Sequence, residues 1–319
     1  CKEKVPYYFD LAYAGLSPLY LPMYSSAPLT VEDDGQGAYL AGGELTPEEI
    51  DATRYMYDSP VGAGPYILKS LDTASYEAVL EINPYYAGNY EGVKPQIQQI
   101  VMVKTDKATR FDALSSGAVD MLTSLTDGEE INTAMDLIEQ GGFAGHQFER
   151  SGYGKLQFQC DFGPTQFAAV RYAIAYLLDR NEFANTFCKG WGSVINGPFG
   201  VNSWMYKESE EYFATALNDY TYNPAKAVEL LEADGWTLNA DGTPYSGTGT
   251  RYKEVTPEEA GTYELNVTLA DGRILMPLHI KWSSSEGNPV SELLAVMLAN
   301  GTQVADAGMV IEQVTMTFD

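Results

Sequence analysis

The sequence predicts an α/β protein built as two domains, and three observations carry that expectation. Strand-type segments rich in β-branched and aromatic residues alternate with helix-type segments whose apolar residues recur every three or four positions. The 319 residues amount to about two domains of ordinary size. Ser151-Gly152 is the obvious pliable joint near the middle, which places the expected boundary between residues 1–150 and residues 151–319.

Thr46-Pro47-Glu48-Glu49 combines a capping hydroxyl, a proline at the first helical position and a carboxylate that can bond back to the cap, so a helix is expected to run to about residue 57. Residues 66–71 and 76–82 flank a turn at Asp72 and Thr73 and predict a hairpin. Ile97, Ile100, Val101 and Val103 predict a further strand, and Ala108, Phe111 and Leu114 stripe a helix over 105–116 that Gly117 closes. A short strand over 118–122 precedes a helix opened by Asp127 with Glu130, striped by Ile131, Met135 and Ile138, and ended by Gly141-Gly142. Strands are expected over 143–148 and 153–160.

The second half predicts an apolar helix over 167–178, a shorter one ending near Gly190, and a helix opened by Asn223-Pro224 and closed by Gly235. Residues 239–249, rich in Gly, Thr and Ser, read as a surface loop. Strands over 264–269 and 276–282, a helix over 290–298 and a strand over 309–318 complete the pattern. The last strand reaches Asp319 with nothing after it to cover it, so the chain is expected to be a portion of a longer one.

Composition excludes several functions. With 44 acidic and 19 basic residues, the formal charge of -25 repels phosphate backbones and anionic membrane surfaces, so no nucleic-acid partner is expected. The charge-free stretch 11–31 is long enough to span a bilayer, but Pro18, Pro22 and Pro28 make it irregular chain. Cys1, Cys160 and Cys188 form no C-x-x-C pair, and only His146 and His279 could join them, so no metal site and no cofactor are expected. No nucleophile elbow, zinc-protease helix or phosphate loop is present. The clusters at Asp33-Asp34-Gly35 and Asn239-Ala240-Asp241-Gly242 read as turns. The 23 tyrosines and 4 tryptophans exceed what a small core needs, and amphipathic rings commonly line sites that combine stacking with hydrogen bonding.

Three groups of residues carry a family resemblance. Gly62-Ala63-Gly64-Pro65-Tyr66 is followed, after the hairpin, by Glu81-Ile82-Asn83-Pro84-Tyr85-Tyr86. Thr109-Arg110-Phe111-Asp112-Ala113-Leu114 leads through Ser115-Ser116-Gly117 to Ala118-Val119-Asp120. Val170-Arg171-Tyr172-Ala173-Ile174-Ala175 continues to Asp179-Arg180, with Tyr222-Asn223-Pro224 and Gly235-Trp236 further on. In order and spacing these resemble the family 5 extracellular solute-binding proteins, the oligopeptide and dipeptide receptors of bacterial ABC importers. The resemblance implies a periplasmic-binding-protein-like (class II) two-lobed α/β fold with mixed sheets, present here as a partial chain: part of a first lobe over 1–150 and a second lobe over 151–319.

It also implies function. Such lobes close on a ligand, and the closed form is what the membrane permease accepts. The expected ligand is a small molecule or peptide, with oligopeptides leading and a glycan or metal chelate as the alternative. The protein is expected to be extracellular, surface-anchored or periplasmic, to act as a monomer and to have no catalytic activity, an acidic secreted hydrolase being the rival class. By resemblance, Thr123 and Ser124 border the cleft from the first lobe, the crossing strand offers Tyr153, Gln157 and Gln159, and the loops after the second-lobe helices contribute Trp191 and Trp204. The family's aspartate for a peptide's amino group has no counterpart within the chain, and lipid attachment at Cys1 is not expected, because the residues after it resemble mid-lobe sequence.

Overall fold

The computed structural model describes residues 20–25, 27–53, 61–150 and 152–316. Contacts divide the chain into two compact units, residues 1–120 and 121–319.

In the first unit, β1 (Thr30–Asp33) and β2 (Ala38–Ala41) form an antiparallel hairpin. Its turn is held by Asp33, which accepts the Gly35 N–H at 2.8 Å, and Asp34, which accepts that of Gln36 at 2.8 Å. Helix α1 (Pro47–Ala52) opens with the expected capping box: Thr46 accepts the Glu49 N–H, and the Glu49 carboxylate accepts the Thr46 N–H at 3.0 Å. Ser25 donates to the same carboxylate at 2.7 Å, and these bonds hold Glu49 below the usual glutamate range, the Thr46 backbone bond contributing most. The helix ends at Ala52 with Thr53 as its cap, and the rest of the expected run to residue 57 falls on residues 54–57, outside those described.

Strands β3 (Tyr66–Asp72), β4 (Glu77–Ile82) and β5 (Gln99–Val103) make an antiparallel meander with Leu68, Leu80 and Ile100 in register. Asn83 pins its end. The amide donates to the carbonyls of Gly62 at 3.2 Å and Gly64 at 2.9 Å, and its oxygen accepts the Tyr85 N–H at 3.0 Å. Helix α2 (Arg110–Ser115) ends before Gly117, whose φ of 74° is open to glycine at no steric cost. Residues 118–122, expected as a strand, pair with no strand among the described residues.

The second unit begins with α3 (Gly128–Gln140), capped by Asp127, which accepts the Glu129 N–H at 2.9 Å. Residues 143–148 and 153–160 were expected as strands but find no ladder partner among the described residues. The alternation of the second segment survives without pairing: Leu156 and Phe158 pack on the core while Tyr153, Gln157 and Gln159 are exposed.

Helices α4 (Ala168–Leu177), α5 (Arg180–Cys188), α6 (Trp204–Ala216) and α7 (Pro224–Ala233) follow. Val170, Ala173, Ile174 and Leu177 form one face of α4 and are buried with Ala227 and Leu231 of α7 and with Trp236. Arg171 lies off that face and donates to the carbonyls of Thr165 at 2.7 Å and Gln166 at 2.8 Å, fastening the turn that precedes the helix.

Strand β6 (Tyr252–Val255), helix α8 (Pro257–Ala260) and strands β7 (Val267–Thr268) and β8 (Ile274–Pro277) build an antiparallel sheet in the order β6-β8-β7. Strand β9 (His279–Ser285) instead pairs in parallel with β10 (Val310–Met316), after α9 (Pro289–Leu294), a π-helical turn at Ala295–Ala299 and α10 (Thr302–Asp306). The single strand expected over 276–282 is thus split between two sheets at Leu278, whose N–H bonds the Arg251 carbonyl and whose carbonyl accepts from Val310. Residues 317–318 of the expected last strand lie outside those described.

The units part at Asp120, earlier than the joint expected at Ser151, a residue that is itself outside the described set. The cause is helix packing. Gly128 of α3 lies so close to α5 that a Cβ there would come within 2.5 Å of the Cys188 backbone. Lys189 pairs with Glu129 at 3.0 Å, and the Trp191 indole N–H donates to Asn132 at 2.8 Å.

Candidate ligand-binding surface

All seven residues singled out in the sequence lie in the second unit. Thr123 and Ser124, expected on the first lobe, stand on the lead-in to α3 and fall with it in the second unit, where α3 packs on α5. Both are exposed, and Ser124 has a φ of 60°, a left-handed conformation uncommon for a residue with a side chain. Neither hydroxyl has a hydrogen-bond partner among the described residues.

Trp191 meets α3 from the end of α5. It follows the left-handed Lys189 that closes α5, its N–H is tied to Asn132, and its ring remains 43% exposed. A fixed polar edge with an open face leaves the indole able to cover an apolar group without further ordering cost. Asn132, which holds the indole N–H, is a neighbour that the sequence did not single out, since an asparagine on an exposed helix turn is indistinguishable from ordinary surface.

Tyr153 and Gln157 form a second patch. Both are exposed, and both have polar groups without partners among the described residues. Gln159 is less available: its amide donates to Asp161, and its carbonyl accepts the Thr165 hydroxyl at 2.7 Å. Trp204 starts α6 beside Ser203, which caps that helix by accepting the Tyr206 N–H at 3.2 Å. Two residues earlier, Asn202 donates to the Glu149 carbonyl at 2.8 Å and so fastens this loop to the segment leading to Tyr153. The structure therefore links Thr123, Ser124 and Trp191 through the α3–α5 contact, and Trp204 to the approach to Tyr153 through Asn202.

The two histidines are engaged elsewhere. His146 stacks on Phe148, and His279 pairs with Glu312 at 2.8 Å across β9 and β10. Cys160 and Cys188 are free thiols, and Cys1 lies outside the described residues. Burial raises the Cys188 thiol, with Asp127 adding to it, which makes the thiolate less accessible. Among the described residues no three His, Cys, Asp or Glu side chains gather as a metal site would require.

Among the described residues, three antiparallel sheets and one parallel strand pair, in place of the mixed sheets expected, combine with helices in two compact units, and the fold is that of the periplasmic binding proteins. The chain belongs to the bacterial extracellular solute-binding proteins, family 5, whose middle region matches residues 3–271. It is 23% identical over 194 residues to heme-binding protein A of Haemophilus influenzae, covering 60% of this chain and 31% of that protein. It is 26% identical over 183 residues to the nickel-binding periplasmic protein of Escherichia coli, covering 57% and 33%. Among solved structures, the oligopeptide-binding protein AppA from Bacillus subtilis in complex with a nonapeptide shares the fold with a TM-score of 0.56 at 18% identity, over 91% of this chain and 54% of that one. The chain thus matches about a third of the length of these curated relatives and about half of that solved chain.

Proposed function

We propose that this chain is part of an extracellular receptor that captures a solute, with oligopeptides as the leading ligand, and presents it to the permease of an ABC importer when its lobes close. The reading is one of binding without catalysis. The observation that carries it is the exposed set on the second unit: Thr123, Ser124, Tyr153 and Gln157 offer polar groups with no internal partner among the described residues, and Trp191 offers an open ring with its N–H already committed. Polar groups of this kind bond a peptide backbone whatever its sequence, while the ring covers a side chain, a combination that tolerates many peptides. A second reading, a metal chelate or porphyrin as the solute, is favoured by the relatives named for heme and nickel.

The test is a thermal-shift and calorimetric screen of the chain, and of the longest form of the protein that can be made, against peptide pools, hemin, nickel-histidine and neutral glycans. A ligand bound only by the native state raises the melting temperature in proportion to the logarithm of its excess over Kd. Peptide pools are expected to raise it in the longer form, and Trp191→Ala and Gln157→Ala to reduce the shift. The 319-residue chain is expected to bind weakly. A response to hemin or nickel-histidine alone selects the second reading, and silence toward every class removes both.

A further inference from the structure

A separate cavity of about 270 Å³ opens on the second unit between α4 and α7, lined by Tyr172, Tyr176, Asn218, Tyr220, Lys226 and Leu230. Three phenol rings converge there from two elements. Tyr172 and Tyr176 stand one turn apart on α4, and Tyr220 comes from the loop before α7, stacking on Tyr172 at 5.9 Å and meeting Tyr176 edge-on at 5.3 Å. Tyr220 holds a φ of 46°, a left-handed backbone that costs a bulky residue energy and persists only where its surroundings enforce it. The surroundings are visible. Asn218 accepts the Tyr220 N–H at 3.1 Å and donates to the Tyr176 hydroxyl at 2.8 Å, and the Asn223 N–H bonds the Tyr176 carbonyl at 2.9 Å. The loop is therefore locked in the conformation that presents the Tyr220 ring.

The lining of the cavity is polar, and its one charged side chain, Lys226, is paired. The Lys226 ammonium is held by Glu229 at 2.8 Å, and Asp219 is drawn to the guanidinium of Arg180 and bonded by Thr221 at 2.9 Å. The hydroxyls of Tyr172 and Tyr220 have no partner among the described residues, and burial keeps the Tyr220 phenol protonated well beyond neutral pH. A phenol hydroxyl both donates and accepts, and the negative face of a phenol ring attracts the positively polarised C–H groups of a saturated ring. A ligand with alternating hydroxyls on a flat array of C–H bonds uses both features, whereas an anion meets no free cation here and a net charge of -25 on the chain.

We infer that this tyrosine cavity is a second binding site, distinct from the solute surface, that takes a neutral saccharide ring by stacking it on Tyr172 and Tyr220 and bonding its hydroxyls to their phenols. The inference is independent of the peptide reading, because none of its residues belongs to the solute surface.

The experiment is saturation-transfer NMR on the whole chain with maltose, cellobiose and N-acetylglucosamine, and with indole as a flat aromatic probe without hydroxyls. At least one saccharide is expected to receive saturation, and Tyr172→Ala to weaken its binding about tenfold, the upper end of what one ring contact contributes. Tyr172→Phe, which keeps the ring and removes the hydroxyl, is expected to fall between. Tyr220→Asn, which tolerates the left-handed backbone, is expected to match Tyr172→Ala while the far-ultraviolet circular dichroism stays unchanged. Tyr85→Ala, at a ring 92% exposed on the first unit, is expected to have no effect. No transfer to any saccharide, transfer unaltered in the Tyr172 and Tyr220 variants, or a stronger indole signal lost in those same variants would each overturn the assignment.

Discussion

In the second unit, side chains from α4, α7, three sheet strands and the last helices meet in one continuous apolar core around Trp236, which is wholly buried. In the first unit the only buried residues among those described are Ser25 and Asn83, both polar, while Val101, Met102 and Val103 of β5 stand exposed. Yet both units carry well-formed local structure: α1 has the same capping box as α8, and the first unit's β3-β4-β5 meander, with one register shift between Leu68 and Ser70, pairs as the β6-β8-β7 sheet does. The difference separates two sources of order. Caps, turns and ladders arise from hydrogen bonds between near neighbours, each worth about 1 kcal/mol net. A core arises from burial, at about 1.5–3 kcal/mol for each fully buried large side chain.

The largest expected effect tests this most directly. Trp236→Ala removes a fully buried ring that Phe167 meets edge-on at 5.7 Å, and about 3–5 kcal/mol of stability is expected to go with it. Val101→Ala in the first unit is expected to change stability by no more than about 0.5 kcal/mol. Denaturant unfolding of both variants, read with hydrogen exchange resolved by segment, measures each. Equal losses from the two substitutions would erase the distinction between the units.

A smaller effect sharpens it. In the first unit the most damaging single change is expected at a polar residue, because Asn83 alone ties the carbonyls of Gly62 and Gly64 to the turn after β4. Asn83→Ala leaves those groups without their donor and is expected to cost about 2 kcal/mol, with faster exchange confined to residues 62–86. A loss spread evenly over both units would show that Asn83 serves more than its own turn.

The smallest effect is acid sensitivity. Glu49 and Asp72 in the first unit, and Asp219, Asp241, Glu264 and Asp271 in the second, lie below their ordinary values, in each case chiefly because a hydrogen bond favours the carboxylate. The stability they contribute is complete above the unfolded values of 3.8 for aspartate and 4.5 for glutamate, and is lost as pH falls through the lower folded values. Between pH 5 and pH 2.5 the exchange protection of the first unit is therefore expected to disappear before that of the second, whose core does not titrate. Simultaneous loss would mean that the units unfold as one.

Much of the fold was legible because it depends on short-range chemistry. Thr46-Pro47-Glu48-Glu49 becomes a capping box wherever it can fold, Asp72 nucleates the turn of its hairpin, and residues 170, 173, 174 and 177 fall on one side of any helix they enter. The segments 143–148 and 153–160 misled because β-propensity reports a side chain's fit to a pleated surface, and whether a ladder forms depends on a neighbour the local sequence does not contain. The site shows the same division. Tyr153, Gln157 and Trp191 are named from the resemblance alone, whereas the Asn132 bond to Trp191, the Asn202 tether and the tyrosine cavity depend on residues 59, 53 and 42 positions from their partners.

By itself the sequence determined the α/β class and the capped and striped helices, which follow from periodicity and capping chemistry, while its motifs carried the resemblance to the family. Only the tertiary structure decided where the units part, how the apolar run at Leu278 divides between an antiparallel and a parallel sheet, and which tyrosines converge. Those outcomes depend on packing across long stretches of chain: Gly128 joins α3 to α5 through the absence of a side chain, and no local pattern states what will come to rest against that gap.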